Sequence, residues 1–336
     1  METEFNKIDT SESGWVWKKV VPIVTRIIVS AIVLYFIISM VQWRNVIVAY
    51  KSADSSFILI AALLLLVNIS VRTLKWRNML RSVKDKPTFK EAFGSVMLGI
   101  SLGSFTPGEI GEFAGRALHV TDAKRSHIVG LALLDKAQIF VVTSCAGIVS
   151  LACLAFNNFL IIILVTIVIV FLSGIFVMRL GMIATLGHRL NTSFFQKSWL
   201  TRVLDGFNLL NLQQLFITLL YTLVFYGVLI LQMFCLINSF SQISLIHAFI
   251  GTSAMMFIKS LLPISIGDLG IREAGSIFFF STYGISQAAA LNASLLLFFI
   301  NIFIPSILGT YFIRHQEISK FTLAQFWKKI KQQSND

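Results

Sequence analysis

Two short segments each place a carboxylate and an arginine four residues apart in otherwise apolar sequence: Glu112 with Arg116, and Asp268 with Arg272. Four residues is about one helical turn, so each pair shares a helix face and can form an ion pair. A proline precedes each acid by five residues, Pro107 in one segment and Pro263 in the other. Proline suits the first turn of a helix, where its missing N–H is not needed and neighbouring N–H donors stay free. Gly111 and Gly267, each directly before the acid, allow close approach of a backbone or a polar group. A helix N-terminus followed by an arginine is an anion site: the guanidinium supplies a planar fork of donors, and the acid holds it when no anion is bound.

These segments are surrounded by a chain that cannot be soluble. Of 336 residues, 56% are hydrophobic and only 13% charged, with mean hydropathy +0.80. A soluble core of this size would need more polar surface than that. The pattern is that of an all-α polytopic membrane protein, which excludes soluble enzymes, nucleic-acid modules and disordered scaffolds. The net charge of +12 reads as the excess of Lys and Arg on cytoplasmic loops, not as a nucleic-acid surface. Cys145, Cys153 and Cys235 lie in apolar runs without metal-ligand spacing, and no metal site, cofactor motif or catalytic signature is present. His119 and His127 have no ligand set nearby and read as interfacial or internally bonded histidines.

Six segments are long enough to span: Val20–Val41, Ser56–Leu74, His127–Ala155, Phe159–Met178, Leu215–Asn238 and Ser286–Ile313. Two more, Ala92–His119 and His247–Phe280, are interrupted by Pro107 and Pro263 and are expected as re-entrant helical hairpins. The stretch 181–211, with Arg189, Lys197 and Arg202, is expected at the interface. The basic residues from Arg72 to Lys90, those of the tail after Arg314, and Lys7, Lys18 and Lys19 fall on one side if both termini are cytoplasmic. Residues 1–19 are then a cytoplasmic segment, 20–314 a single transmembrane domain, and 315–336 a basic cytoplasmic tail.

The broken segments are copies. Pro107-Gly-Glu-Ile-Gly-Glu-Phe-Ala-Gly-Arg116 aligns without gaps to Pro263-Ile-Ser-Ile-Gly-Asp-Leu-Gly-Ile-Arg272 at an offset of 156 residues, and Ser104 matches Ser260. Three full spans separate them, so two hairpins that each return to the face they left enter from opposite sides. The expected architecture is an inverted-topology repeat, residues 20–156 and 157–314, with a site between the halves. Charges are expensive at this depth, so Glu109, Glu112, Arg116, Asp135, Lys136, Lys259, Asp268, Arg272 and Glu273 must pair or face a hydrated cavity. Asp135 and Lys136 fit ion-paired glue between helices or a supporting role behind the site; the others are the candidate binding residues.

Asn68-Ile-Ser-Val-Arg72-Thr-Leu-Lys-Trp76-Arg77, the Thr106–Arg116 segment TPGEIGEFAGR and the Leu261–Gly275 segment LLPISIGDLGIREAG resemble the lysylphosphatidylglycerol synthase transmembrane, or flippase-like, family. The resemblance covers nearly the whole chain and includes the membrane half of the bacterial multiple peptide resistance factor. It implies a bacterial or archaeal inner-membrane protein that moves an anionic or polyprenyl-phosphate-linked lipid between leaflets. That factor's aminoacyl-transferase domain has no counterpart here, so lipid aminoacylation is not expected. The alternatives are a non-transporting subunit that anchors or regulates a separate glycosyl- or aminoacyl-transferase, and a lipid head-group enzyme using Glu112 and Asp268 as acid and base. Candidate partners are the lipid, a lipid-modifying enzyme and a second copy of the chain; no nucleic acid is expected. Single-cysteine labelling on a Cys-free background tests the orientation. Positions Lys84 and Lys328 should label from the inside, and Lys51 and Asn158 from the outside. Labelling of 158 and 84 from one side would break the parity on which the inverted repeat rests.

Overall fold

The computed structural model describes residues 43–104, 106–156, 158, 160, 162–169, 209–262 and 269–314. The expected span Val20–Val41, the interfacial stretch up to residue 208, most of Phe159–Met178, the tail beyond residue 314, and Pro263, Gly267 and Asp268 lie outside the described residues. All regular structure among the described residues is helical: α1 (Trp43–Lys51), α2 (Ser55–Leu80), α3 (Phe89–Ser104), α4 (Ile110–His119), α5 (Arg125–Ala155), α6 (Leu212–Asn238), α7 (Leu245–Leu261), α8 (Ile271–Ser281), α9 (Gln287–Phe298) and α10 (Ile304–Arg314). A five-residue π-helical turn, Phe299–Phe303, joins α9 to α10. Pro305, which has no N–H to give to the carbonyl four residues back, sits just past that turn.

Polar caps fix where the long helices begin. Asp54 accepts from the Ser56 N–H at 2.8 Å at the start of α2, and Asn211 and Gln214 form a reciprocal capping box at the start of α6. Thr88 and Ser244, 156 residues apart, cap α3 and α7 through the N–H groups of Glu91 and His247. Among the described residues, four helices are long and apolar enough to cross a membrane: α2, α5, α6, and the continuous stretch Gln287–Phe312. Their outward faces carry exposed Leu59, Leu63 and Leu66 on α2, and Phe216, Leu220 and Leu223 on α6. Such surfaces suit a hydrocarbon solvent and would be costly in water. The chain is therefore a multi-pass, all-helical membrane protein, as its composition requires.

In each interrupted segment two helices pack antiparallel on each other. In the first, Leu102 meets Gly111 and Leu98 meets Gly115, so α3 and α4 run antiparallel. The turn between them is a 3-10 turn, Pro107–Glu109, in which Gly108 (φ 60°) and Glu109 (φ 56°) are left-handed. Thr106 closes it by accepting from the Gly111 N–H at 2.6 Å. In the second, Gly251 packs on Phe280 and Gly275 on Met255, again antiparallel.

Packing between the halves follows the 156-residue offset. The two corresponding spans α2 and α6 pack on each other. Helix α3 of the first hairpin packs on α10 of the second half, and α7 of the second hairpin packs on α5 of the first. Exchanging the halves turns one of these contacts into the other. Gly309 of α10 against the Met97 carbonyl, and Gly147 of α5 against Phe257, make both approaches close. Ser306 adds a hydrogen bond to Ser104 at 2.9 Å across the first of them.

One feature differs from expectation. The span that begins near Ser56 does not end at Leu74 but continues to Leu80, so Arg72 and Lys75 belong to the helix and not to the basic loop. The loop charge proper begins later: Lys84 bonds to Glu91 at 2.7 Å, and this hydrogen bond to the carboxylate raises its pKa above the usual lysine value. The space beside Gly111, where the sequence allows a backbone or a polar group to approach, is taken by the α3 backbone. A Cβ there would lie 2.1 Å from the Leu102 carbonyl oxygen. Gly111→Ala should consequently lower stability by about 1–3 kcal/mol, the usual range for overpacking. Gly227→Ala, where a Cβ meets nothing within 4 Å, should be neutral or stabilising. Unfolding of the detergent-purified variants compares the two, and equal loss in both would contradict the close-contact account.

Candidate functional site

Helix α2 carries Asn68, Arg72 and Lys75 at a spacing that keeps them on one face, and all three point inward. Arg72 donates to Glu112 at 3.1 Å, and Lys75 pairs with Asp135 of α5. Arg116 stands between them, with one guanidinium nitrogen 2.5 Å from Glu112 and the other 2.8 Å from Asp135. Lys136 bridges Glu112 at 2.6 Å and Glu109. Four cations and three carboxylates thus form one connected network across α2, the Pro107–Glu109 turn, α4 and α5.

Arg116 is 2% exposed, and the Trp76 ring lies 4.5 Å from its guanidinium carbon, adding a cation–π contact. Trp76 is in turn held by its indole N–H donating to Ser95 at 2.9 Å, and Ser95 donates to the Arg116 carbonyl. Buried charges at this depth are tolerable only with such complete pairing.

Among the described residues the second half repeats the arginine but not the network. Arg272 is likewise 2% exposed, with Phe298 5.3 Å away under its guanidinium. Its acid among the described residues is the adjacent Glu273, at 2.6 Å from Nη2. Glu273 also accepts from the Gly270 N–H at 2.6 Å and from Ser294 at 3.1 Å, so one carboxylate caps α8 and anchors the arginine. The positions offset from Asp135 and Lys136 are Leu291 and Asn292, which carry no charge.

Between the halves lies a cavity of about 330 Å³. Arg72, Glu109 and Lys136 line it from the first half, and Lys259, Ser260 and Arg272 from the second. Asn68, Thr143, Tyr226 and Asn301 add neutral hydrogen-bonding groups, and Phe225, Leu229 and Met256 add apolar wall. Among the described lining residues four bases stand against one acid, a cationic wall for a single anionic group with an apolar neighbour.

The sequence-derived candidates therefore divide. Glu109, Lys136, Lys259 and Arg272 reach the cavity. Glu112, Arg116, Asp135 and Glu273 are buried behind it and hold the lining cations or one another in place. Arg72 and Asn68 were missed as site residues, although their helical spacing with Lys75 was readable. Asn301 was also missed; the π-helical turn that Pro305 follows puts it at the cavity, where its amide donates to Gln232 at 3.0 Å.

A family model described as the lysylphosphatidylglycerol synthase TM region matches residues 23–309 of the chain. No curated protein matches it.

If the second arginine is held as its geometry indicates, Arg272→Met alone should destabilise by about 3–5 kcal/mol, because Glu273 keeps a buried charge without its cation. Arg272→Met with Glu273→Gln should recover most of that loss. Chemical or thermal unfolding in detergent reads the difference, and a double variant as unstable as the single one would contradict the pairing.

Proposed function

This chain belongs to the lysylphosphatidylglycerol synthase transmembrane family, and from that premise we propose that it is a lipid translocase of a bacterial or archaeal inner membrane. The observation that carries the reading is the cationic cavity lined from both halves, whose arginines have the geometry to hold a phosphate. The substrate is an anionic phospholipid or a polyprenyl-phosphate-linked lipid. Its head group enters the cavity while its chains stay in hydrocarbon along the apolar outer faces. Phosphate replaces the water it leaves with the forks of Arg72 and Arg272 and the ammonium groups of Lys136 and Lys259. That compensation is what lowers the barrier to carrying a charge through the membrane.

Reciprocal packing of α3 on α10 and α7 on α5 supports the inverted-repeat reading, with each hairpin re-entrant and both termini cytoplasmic. In such a protein, rocking of one half against the other opens the cavity to each leaflet in turn. The alternative of a non-transporting subunit for a separate transferase finds its support in the fully buried Glu112–Arg116–Asp135 cluster, which by itself is structural glue. The cations that reach the cavity are what favour transport over it.

Purified protein in proteoliposomes, with fluorescent phosphatidylglycerol and a leaflet-resolved quenching assay, tests the reading. The wild-type chain should accelerate lipid movement well above protein-free vesicles. Arg272→Lys should reduce the rate by on the order of tenfold, since an ammonium loses charge-assisted hydrogen bonds worth about 1.5–3 kcal/mol each. No acceleration by the wild-type chain, with phosphatidylglycerol or with a polyprenyl phosphate, would favour the subunit reading.

A further inference from the structure

Within the charge network one pair differs from the rest. The side chains of Lys75, Glu112, Arg116 and Asp135 are 2–6% exposed, whereas those of Glu109 and Lys136 are 31% and 27% exposed. With Arg72, whose side chain is 19% exposed, these two are the end of the network that faces the cavity. Glu109 is also the single acid among the described lining residues, surrounded by Arg72, Lys136, Lys259 and Arg272. Its backbone is left-handed, φ 56° and ψ 26°, a conformation that a residue with a side chain rarely adopts. Such a conformation persists only where the surroundings impose it, and it clusters at working sites. The turn, not the helix, decides where this carboxylate points.

Bond counting separates Glu109 from Glu112. Glu112 contacts Arg72, Arg116 and Lys136, so removing it takes a partner from three cations and leaves Arg72 without a carboxylate among the described residues. Lys136 has two acids, and on leaving Glu109 it still holds Glu112 at 2.6 Å. The Lys136–Glu109 contact is accordingly the one that opens without leaving the buried part of the network unbalanced.

We propose that Glu109 is a tethered stand-in for the substrate anion: its carboxylate occupies Lys136 in the empty cavity and is displaced when a phosphate enters. The inference rests on the proposed reading of the cavity as a phosphate site and names the residue that sets its affinity. A built-in competitor weakens binding, and in a carrier that is useful, because a head group held too tightly would not leave on the far side. On release the phosphate is replaced by a carboxylate already in position, so Lys136 is never left facing an apolar wall with a single acid.

The test measures binding by detergent-purified full-length protein, using short-chain phosphatidylglycerol and, separately, inorganic phosphate as probes. Glu109→Gln should bind short-chain phosphatidylglycerol at least about fivefold more tightly than wild type, a gain of about 1 kcal/mol. Glu109→Gly removes the same carboxylate while making the left-handed turn easier, so it should fold at least as well and show the same gain. Lys136→Gln should lose affinity, and Lys136→Gln with Glu109→Gln should resemble Lys136→Gln alone. A gain with both probes assigns the competition to the phosphate itself; a gain with the lipid only assigns it to the whole head group. If wild type binds but neither Glu109 variant binds more tightly, Glu109 is not a competitor and the inference is overturned while the cavity reading stands. If neither wild type nor the variants bind either probe, the cavity reading falls and the inference with it.

Discussion

Burying Arg116 is the constraint on which the rest of the first half depends. A guanidinium out of water at membrane depth is stable only with its donors met, and this one needs carboxylates from two directions: Glu112 on its own helix and Asp135 on α5. Each acid then needs a further cation, which Lys75 and Arg72 supply from α2 and Lys136 from α5. Satisfying one charge thereby fixes the mutual register of α2, α4 and α5. Apolar packing could not do this, since lipid chains solvate leucine as well as another helix does. Specific polar contacts and close backbone approach are what remain to select one arrangement.

Close approach is the second device, and it serves the first. Gly99 and Gly103 on α3 face Glu112 and Arg116, and Gly111 and Gly115 on α4 face the α3 backbone. Side chains at these four places would push the hairpin apart and move the guanidinium away from Asp135. The glycine pairs, each with three residues between, therefore read as the spacing of a small-residue helix interface. The left-handed turn at Gly108 and Glu109 completes the same hairpin and, at its tip, delivers a carboxylate to the cavity.

Much of this was legible in the sequence. The all-helical membrane fold, the spans at α2, α5, α6 and Gln287–Phe312, and the interruption near Pro107 followed from hydropathy and proline, because each rests on local pattern. Family resemblance pointed the same way, and the match over residues 23–309 bears it out. Arg72 and Lys75 were misplaced for a definite reason. Counting Lys and Arg by side treats every cation past the last apolar residue as loop, although a helix with one polar face can run on for two turns. The division of the acids was also hidden: Glu109 and Glu112 look alike in sequence, and only the left-handed turn separates the one at the cavity from the one behind it. Glu273, expected among the charges that must pair, is the partner of Arg272 among the described residues, and the repeat does not display this contact because the position offset from Glu273 is Ala117.

The repeat is close in backbone and loose in charge, and that difference has a mechanical meaning. In the first half, ion pairs run between elements, from α2 to α4 and from α4 to α5, so moving one element past another would separate charges in a medium that screens them poorly. In the second, the pair Arg272–Glu273 lies within α8 and travels with it, tied to α9 by the hydroxyl of Ser294. Contacts across the halves, α3 on α10, α7 on α5, and α2 and α5 on α6, are built from apolar side chains, glycines and neutral hydrogen bonds such as Ser306 to Ser104, Gln138 to Thr218 and Gln232 to the Ala61 carbonyl. Sliding there exchanges one apolar contact for another at modest cost. Strong bonds inside the first half and weaker ones between the halves are the distribution that the rigid-body rocking proposed above would require. The cavity, where the two halves meet, is the place whose shape such rocking would change most.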